Sequence, residues 1–453
     1  MKTMEKSNVL LITIDSLRHD YANLLDIDTE LFSRVRRTLD EPIEFSQAIA
    51  NGPNTPNSFP AILTSTHSFM YGGYTYLDER RPFVAHTLQE AGFETVAYHS
   101  NPHLGSNHNY DFGFNIFNDS AEASDTVSNL KEGVERRLDP DSKLYSLLRR
   151  LWHIVSISTN SAAYAKAPTI TNNAIDWITE RDRTDPFFMW LHYMDVHYPF
   201  TPPEDCLEEI GVEPPSTRRI ADLNGRMHES PETFTDDDTE TLLKLYLGEL
   251  VFVDKHIHRL LIVLEEHGLL EDTAVIVTSD HGESFGEHGE FGHHSYMYDE
   301  LIRVPMIASI PDYERRTITD QVSLADLGPT IYDLVDIETP KAVQGESFEP
   351  LLAGNSRGDY TVLSAASNGS VLATRTPNWK CLWDREGTIE LYDLNSDPDE
   401  RNDVSDDYPD IVDRFINEMK TYISDADETD TALPSVEESD EMKQRLEDLG
   451  YMD

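Results

Sequence analysis

Three segments of the chain are almost continuously apolar: Asn8-Val-Leu-Leu-Ile-Thr-Ile14, Phe187-Phe-Met-Trp-Leu191 and Thr273-Ala-Val-Ile-Val-Thr278. A strand covered on both faces has no solvent side, so it reads as an unbroken run rather than an alternation. These segments therefore predict central strands of a parallel α/β sheet. Each ends abruptly in polar residues: Asp15-Ser16, His192-Tyr-Met-Asp195, and Ser279-Asp280-His281. Ligands of open α/β sheets sit beyond the carboxyl ends of the strands, so three ends rich in Asp and His point to one shared site.

Helical spacing falls between the strands. Leu242, Leu243, Leu250, Val253, Ile257, Leu260, Leu261 and Leu264 predict a helix over 239–266, stopped near Gly268. A shorter one is predicted over 83–92. From about residue 341 the pattern changes: Tyr360 to Leu363, Val371 to Thr374 and Trp379 to Trp383 are short β-like pieces among turn residues, followed by an acidic helical end. This divides the chain into a larger α/β domain, 1–340, and a smaller α+β domain, 341–453. Two polar, acidic insertions, about 119–165 and 204–238, read as surface excursions. Within the first, the run from Lys143 to Ile154 has the form of a basic amphipathic helix, either docked on the surface or acting as a lid or contact for an anionic or lipid-linked substrate.

Charge narrows the range of partners. The 453 residues include 84 acidic and 36 basic ones, a formal net charge of −48. A field of that sign repels nucleic acid and anionic membrane surfaces. The acidic residues interleave with apolar segments, as on a solvated surface adapted to high salt or on an unusually acidic mesophilic one. Two cysteines, Cys206 and Cys381, cannot make a disulfide framework. Lys2 and Lys6 before Val9–Ile14 imitate the start of a signal peptide, but the run is short, ends on Asp15 and lacks a cleavage site. No run reaches the roughly 18–20 apolar residues of a membrane span. The expectation is a soluble, cytoplasmic protein with no transmembrane segment; its oligomeric state is not legible.

Asp280-His281-Gly282-Glu283, Asp15 and His293 supply the carboxylate and imidazole donors that divalent cations favour. At this point the chain resembles the sulfatase family of the alkaline-phosphatase superfamily. Asn8 to Asp20 resembles the opening strand and metal aspartate. Thr55-Pro-Asn-Ser-Phe-Pro-Ala-Ile-Leu-Thr-Ser65 resembles the nucleophile segment Cys-x-Pro-Ser-Arg-x-x-Leu-Leu-Thr-Gly. Trp190 to Pro199, Thr278 to Glu283, Gly292-His293, Tyr298-Asp-Glu300, Leu324 to Thr330 and Glu390 to Leu394 match in order.

The resemblance implies a mixed, mostly parallel sheet flanked by helices, with a smaller C-terminal domain carrying a short antiparallel sheet. It also implies a divalent metal held by Asp15, Thr55, Asp280 and His281, with Thr55 as nucleophile. Thr55 otherwise reads as a turn residue, and Ser58 aligns with the motif serine rather than the nucleophile. His197, His293 and His103 are the remaining catalytic candidates, and Asn101 and Asp195 the substrate-binding ones. Asp195 could instead orient a histidine, join His197 and His293 in a second metal site, or be structural. His192, His288 and His294 read as structural. Mg²⁺, Mn²⁺ or Ca²⁺ suits an oxygen-rich set with one imidazole; Zn²⁺ gains if the second site exists.

Departures from the family pattern bear on the ester cleaved. Thr cannot yield the formylglycine that sulfatases make from Cys or Ser. The motif Arg is Phe59, the Lys of Gly-Lys-Trp-His-Leu-Gly is Asn101 in Ser100-Asn-Pro-His-Leu-Gly105, and the second Asp of the Asp-Asp pair is Ser16. A Thr beside one metal is similar to the phosphodiesterase and phosphoglycerol-transferase members. The expected activity is thus cleavage or transfer of a phosphate (di)ester through Thr55, on a small-molecule, glycan or lipid-linked anionic ester. The alternatives are a sulfuric ester hydrolase and a non-catalytic binding or scaffold member.

Overall fold

The computed structural model describes residues 7–21, 32–40, 42–119, 164–181, 185–294 and 296–434, with positions 436, 443, 445, 446 and 449 beyond them. The basic segment 143–154 and nearly all of 119–165 lie outside the described residues.

The strands in chain order are β1 (Asn8–Ile14), β2 (Ile43–Ile49), β3 (Glu94–Tyr98), β4 (Ile116–Asn118), β5 (Phe187–Tyr193), β6 (Thr273–Ser279), β7 (Ser284–Phe285), β8 (Phe291–Gly292), β9 (Arg303–Ser309), β10 (Thr317–Ile318), β11 (Val322–Ser323), β12 (Val362–Ala366), β13 (Val371–Arg375), β14 (Trp379–Asp384) and β15 (Ile389–Asp393). Nine form one sheet in the order β10-β2-β9-β6-β1-β5-β3-β4, with β11 also paired to β2. Its pairs are parallel except those of β9, which runs antiparallel to β2 and β6. This is the mixed, mostly parallel sheet that the resemblance implied.

The three continuous apolar runs are its centre, and period-two alternation sorts their side chains. Leu10, Ile12 and Ile14 of β1, Met189 and Leu191 of β5, and Val275 and Val277 of β6 enter one core. Val9, Leu11, Phe188, Trp190, Ala274 and Ile276 enter the other. The first core is covered by the Asp236–Glu266 helix through Leu242, Leu245, Leu250, Val253, Ile257, Leu260, Leu261 and Leu264. That helix opens with a capping box between Thr235 and Asp238. Gly268, with φ +64, ends it, its N–H reaching Glu265 O while Leu269 N–H reaches Leu264 O. The second core lies under the Thr55–Thr64 and Val84–Glu90 helices.

Segment 204–238 departs from the surface excursion expected of it. It forms helices Glu204–Glu209 and Thr217–Glu229, whose Cys206, Leu207, Leu223 and Met227 are buried in the first core. Its average polarity hid two amphipathic faces. Among the described residues no helix is long and apolar enough to cross a membrane.

Strands β12 to β15 form a separate antiparallel sheet backed by the Pro409–Thr429 helix. Buried ions join it to the main sheet. Lys380 of β14 pairs with Asp299 at 3.1 Å and Glu400 at 2.7 Å, and Arg375 of β13 pairs with Asp299 at 2.8 Å. Burial opposes ionisation of Asp299, but Arg375 and Lys380 outweigh it and hold the carboxyl well below its usual range. Burial pushes Glu400 up to about 7 despite Lys380.

Two predictions follow from this packing. Lys380→Met strands Asp299 and Glu400 without their shared cation, so urea denaturation should show a loss of about 3–5 kcal/mol; a loss under 1 kcal/mol would mean the network is idle. His67 is stacked on Phe69 and meets the edge of Tyr422 on the Pro409–Thr429 helix. Burial, then Arg81, lowers its pKa from 6.5 to about 4. Between those values the unfolded chain binds a proton that the folded one refuses, so stability falls as pH falls, by roughly 1.4 kcal/mol per pH unit. His67→Phe should flatten that slope between pH 6.5 and 4; parallel pH profiles for variant and wild type would refute the assignment.

Candidate metal centre and nucleophile

Register builds the site. Ile14 of β1 pairs with Ser279 of β6 and Tyr193 of β5, so the next residues, Asp15, Asp280 and Met194, emerge side by side. Adjacent strands lie about 4.8 Å apart, which sets two carboxylates next to each other. Both are fully buried, as is His281. The Asp280–His281 turn is pressed against residues 300–301: Gly282 N–H donates to Leu301 O at 2.7 Å, and a Cβ on Gly282 would stand 1.9 Å from Glu300 O.

Thr55 arrives from a different element. Asn54 caps the Thr55–Thr64 helix, its Oδ1 accepting from Asn57 N–H at 3.2 Å, and Thr55 is the first helical residue. The entry turn is tight: a Cβ at Gly52 would lie 2.5 Å from Asn57 Cβ. The fully buried Thr55 hydroxyl sits 3.1 Å from Asp280 Oδ2, 3.3 Å from Asp15 Oδ2 and 3.3 Å from His281 Nε2. His281 Nε2 is 3.4 Å from Asp15 Oδ1 and 3.5 Å from Asp280 Oδ2. Ser58 Oγ donates to Asp280 O at 2.6 Å and so braces the β6 end.

Asp15, Asp280 and His281 each offer one ligand atom within 4.8 Å of the others. Donors around a cation at about 2.0–2.4 Å stand roughly 3–3.5 Å apart, the spacing seen here. Tautomer fits too: His281 Nδ1–H donates to Gly282 O at 2.8 Å, which leaves the Nε2 lone pair facing the carboxylates. Among the described residues this is the group of three that meets those criteria; Asp195, His197 and His293 do not form a second one.

Asp15 has its own support. Ser16 Oγ donates to Oδ1 at 3.0 Å; Asn101 Nδ2 at 3.1 Å and His192 Nε2 at 3.2 Å reach Oδ2. Asn101 Oδ1 accepts from His103 N–H at 2.9 Å, which fixes the amide with its NH₂ toward Asp15. Behind His192 a relay continues through Thr13 Oγ1 at 2.9 Å to Trp190 Nε1 at 3.0 Å. Burial opposes ionisation of Asp15, but His197, the His192 hydrogen bond and His281 outweigh it and hold the carboxyl well below its usual range. Burial, then the charge of Asp15, pushes Asp280 well above it.

The rings of His281, His293 and His197 form a file, with centroids 4.6 Å and 4.8 Å apart. His293 Nδ1 lies 3.2 Å from Glu283, and His197 Nδ1–H donates to Tyr198 O at 2.6 Å. Burial, then His281 and His197, keeps His293 well below 6.5, and burial pushes Glu283 up to about 7. Burial, then His108, lowers His103 to about 3, so its ring is neutral. Asp195 turns elsewhere: its Oδ1 accepts from Ala167 N–H at 3.1 Å and faces Lys166 at 4.0 Å. Phe59 is buried against Trp190, His192 and Tyr110.

Two supporting residues were not singled out from the sequence. His192 was read as structural, yet it bonds Asp15; a histidine inside a buried strand requires a partner, and its pairing with Thr13 was the available signal. Glu283 carried no assigned role, although it is the carboxylate of Asp-His-Gly-Glu and orients His293.

With the geometry in place, comparison with known proteins is informative. Residues 7–337 match the family model described as Sulfatase, and residues 286–428 match that of the N-sulphoglucosamine sulphohydrolase C-terminal region. The uncharacterized sulfatase YidJ of Escherichia coli K12 is 32% identical over 258 residues, covering 53% of this chain and 51% of that protein. The chain thus spans about half the length of that relative, and likewise of arylsulfatase K of Rattus norvegicus. Among solved structures, BT4656 with its substrate D-glucosamine-2-N,6-O-disulfate aligns with TM-score 0.70 and 18% identity over 93% of this chain and 98% of that one. The phosphonate monoester hydrolase of Agrobacterium radiobacter aligns with TM-score 0.70 and 19% identity over 93% and 96%. Both likenesses establish the fold.

A divalent cation bound by this group should stabilise the folded chain by about 2.7 kcal/mol at a free concentration a hundred times its Kd. Thermal scans with Mg²⁺, Mn²⁺, Ca²⁺ and Zn²⁺ should show the rise, and Asp280→Asn should abolish it. If no cation moves the wild-type transition, the centre is not a metal site.

Proposed function

The chain belongs to the sulfatase family, and from that premise we propose that it cleaves or transfers an ester of a tetrahedral oxyanion, with Thr55 as nucleophile and a phosphate (di)ester as substrate. The observation that carries this reading is the Thr55 hydroxyl at a helix N-terminus, within 3.3 Å of Asp15, Asp280 and His281. A bound divalent cation would lower the hydroxyl's pKa and neutralise charge on the ester oxygens. With its pKa lowered in that way, the hydroxyl gives up its proton to water before it attacks. The Thr55 oxygen then attacks phosphorus in line as the bond to the leaving oxygen breaks, and His197 passes a proton to that oxygen. Water, losing a proton to the now neutral His197, finally attacks phosphorus as the bond to Thr55 breaks, and the Thr55 oxygen regains a proton.

Phosphate is favoured over sulfate by what stands around the nucleophile. Thr55 retains a plain hydroxyl, Phe59 is committed to the core and Asn101 to Asp15. Phosphoryl transfer asks mainly for positioning and charge stabilisation, which this set provides. The second reading, hydrolysis of a sulfate ester on a glycan, is supported by the family and by the disulfated glucosamine bound to BT4656.

Matched 4-nitrophenyl phosphate, bis(4-nitrophenyl) phosphate and 4-nitrophenyl sulfate decide between them, assayed in high salt with each cation. The phosphodiester should turn over fastest, and Thr55→Ala should reduce kcat at least about a thousandfold. Faster sulfate cleavage would replace the phosphate reading with the sulfatase one. Full turnover by Thr55→Ala would remove the nucleophile from both.

A further inference from the structure

The far C-terminal residues return to the catalytic face. Arg445 Nη2 donates to Ser100 O at 2.9 Å, and Leu449 N–H donates to Arg445 O at 3.0 Å, closing a helical turn. Leu446 is 3% exposed and Leu449 1%. Leu449 packs with Tyr164 and Met194. The Met194 sulfur is 3.2 Å from Asn101 Nδ2, the nitrogen that donates to Asp15 at 3.1 Å. A continuous line of contacts therefore runs from Leu449 through Met194 and Asn101 to a cation-binding carboxylate.

The placement of the guanidinium is specific. Ser100 precedes Asn101, so a group bonded to Ser100 O lies within roughly 9 Å of the Asn101 amide nitrogen. The residues that define the centre are carboxylates, imidazoles, an amide and hydroxyls. An anionic ester bound there gains from a cation beside them, and a planar guanidinium fork matches tetrahedral oxyanions better than an ammonium does. Two leucines at i and i+3 on one helical turn supply apolar anchors that a purely polar end would lack.

We propose that Arg445 is a substrate-binding residue that recognises the anionic oxygens of the ester from the Asn101 side, held in place by Leu446 and Leu449. The assignment rests on the ester chemistry at Thr55, but its test is separable. The full-length, cation-loaded protein is titrated with inorganic phosphate and sulfate as competitive inhibitors of aryl-ester turnover. Arg445→Ala should raise the Ki of phosphate and the KM for bis(4-nitrophenyl) phosphate about tenfold, with a smaller change in kcat. Arg445→Lys keeps the charge and should recover part of that loss. Leu449→Ala, which loosens the anchor alone, should give an intermediate KM.

Ki and KM within twofold of wild type in Arg445→Ala would overturn the inference; should that variant fail to fold, wild-type Ki and KM in Arg445→Lys and Leu449→Ala would do so. Phosphate binding to Thr55→Ala, followed by calorimetry, separates the two claims. If Thr55→Ala is inactive but Arg445→Ala binds phosphate like wild type, only the Arg445 assignment falls. If Thr55→Ala turns over normally, the nucleophile reading falls, while a tenfold weaker phosphate affinity on adding Arg445→Ala to it still supports Arg445.

Discussion

The in-register pairing of β1 with β6 imposes the constraint around which this site is built: two carboxylates leave adjacent strands together, inside the protein. At about 4 Å and an effective dielectric constant near 20, two like charges repel by about 4 kcal/mol. Hydrogen bonds from Ser16, Asn101 and His192 favour Asp15 as the charged partner, while Asp280 is driven toward its neutral form. A divalent cation bound between them would convert the repulsion into attraction. Thr55 and the Nε2 lone pair of His281 face the same space between the two carboxylates.

Much of the sheet was legible because buried parallel strands have no polar face to confuse them. β1, β5 and β6 announced themselves as apolar runs, and their polar ends marked the site. Strands β2 and β9 were not legible in the same way. Ile43–Ile49 carries Glu44, Ser46 and Gln47 at half-buried positions, and its identity as a strand depends on its antiparallel partner. The 204–238 segment was misjudged because composition averages over two faces that a helix separates. Asp195 illustrates another limit: the sequence places it after a strand beside His197 but cannot say that its carboxylate caps residue 167. The role of Thr55 came from resemblance and not from local pattern, since a threonine before proline also suits an ordinary turn.

The C-terminal sheet shows why charge is hard to read from one dimension. Lys380 sits in a strand where a lysine suggests a solvent-facing position, yet its side chain is wholly buried between Asp299 and Glu400. Residues 299, 375, 380 and 400 come from three separate stretches of the sequence, and each alone looks like surface. Together they fix the position of Asp299–Ile302, the helix whose Leu301 carbonyl receives Gly282 beside His281. Ion pairing on the two central strands of one sheet thereby sets the backbone under a candidate metal ligand of the other.

Asn51 extends this dependence across the chain. Four residues before Thr55, its side-chain amide donates to Leu363 O and its backbone carbonyl accepts from Ala365 N–H, while its Oδ1 takes Ser323 and Ala325. Thr55 leaves the ribosome well before the groups at 323–365 that satisfy the turn leading into it. A nascent chain halted before residue 365 holds Thr55 with that turn unsupported. The turn that positions Thr55 is therefore completed only after the first strand of the C-terminal sheet has been made.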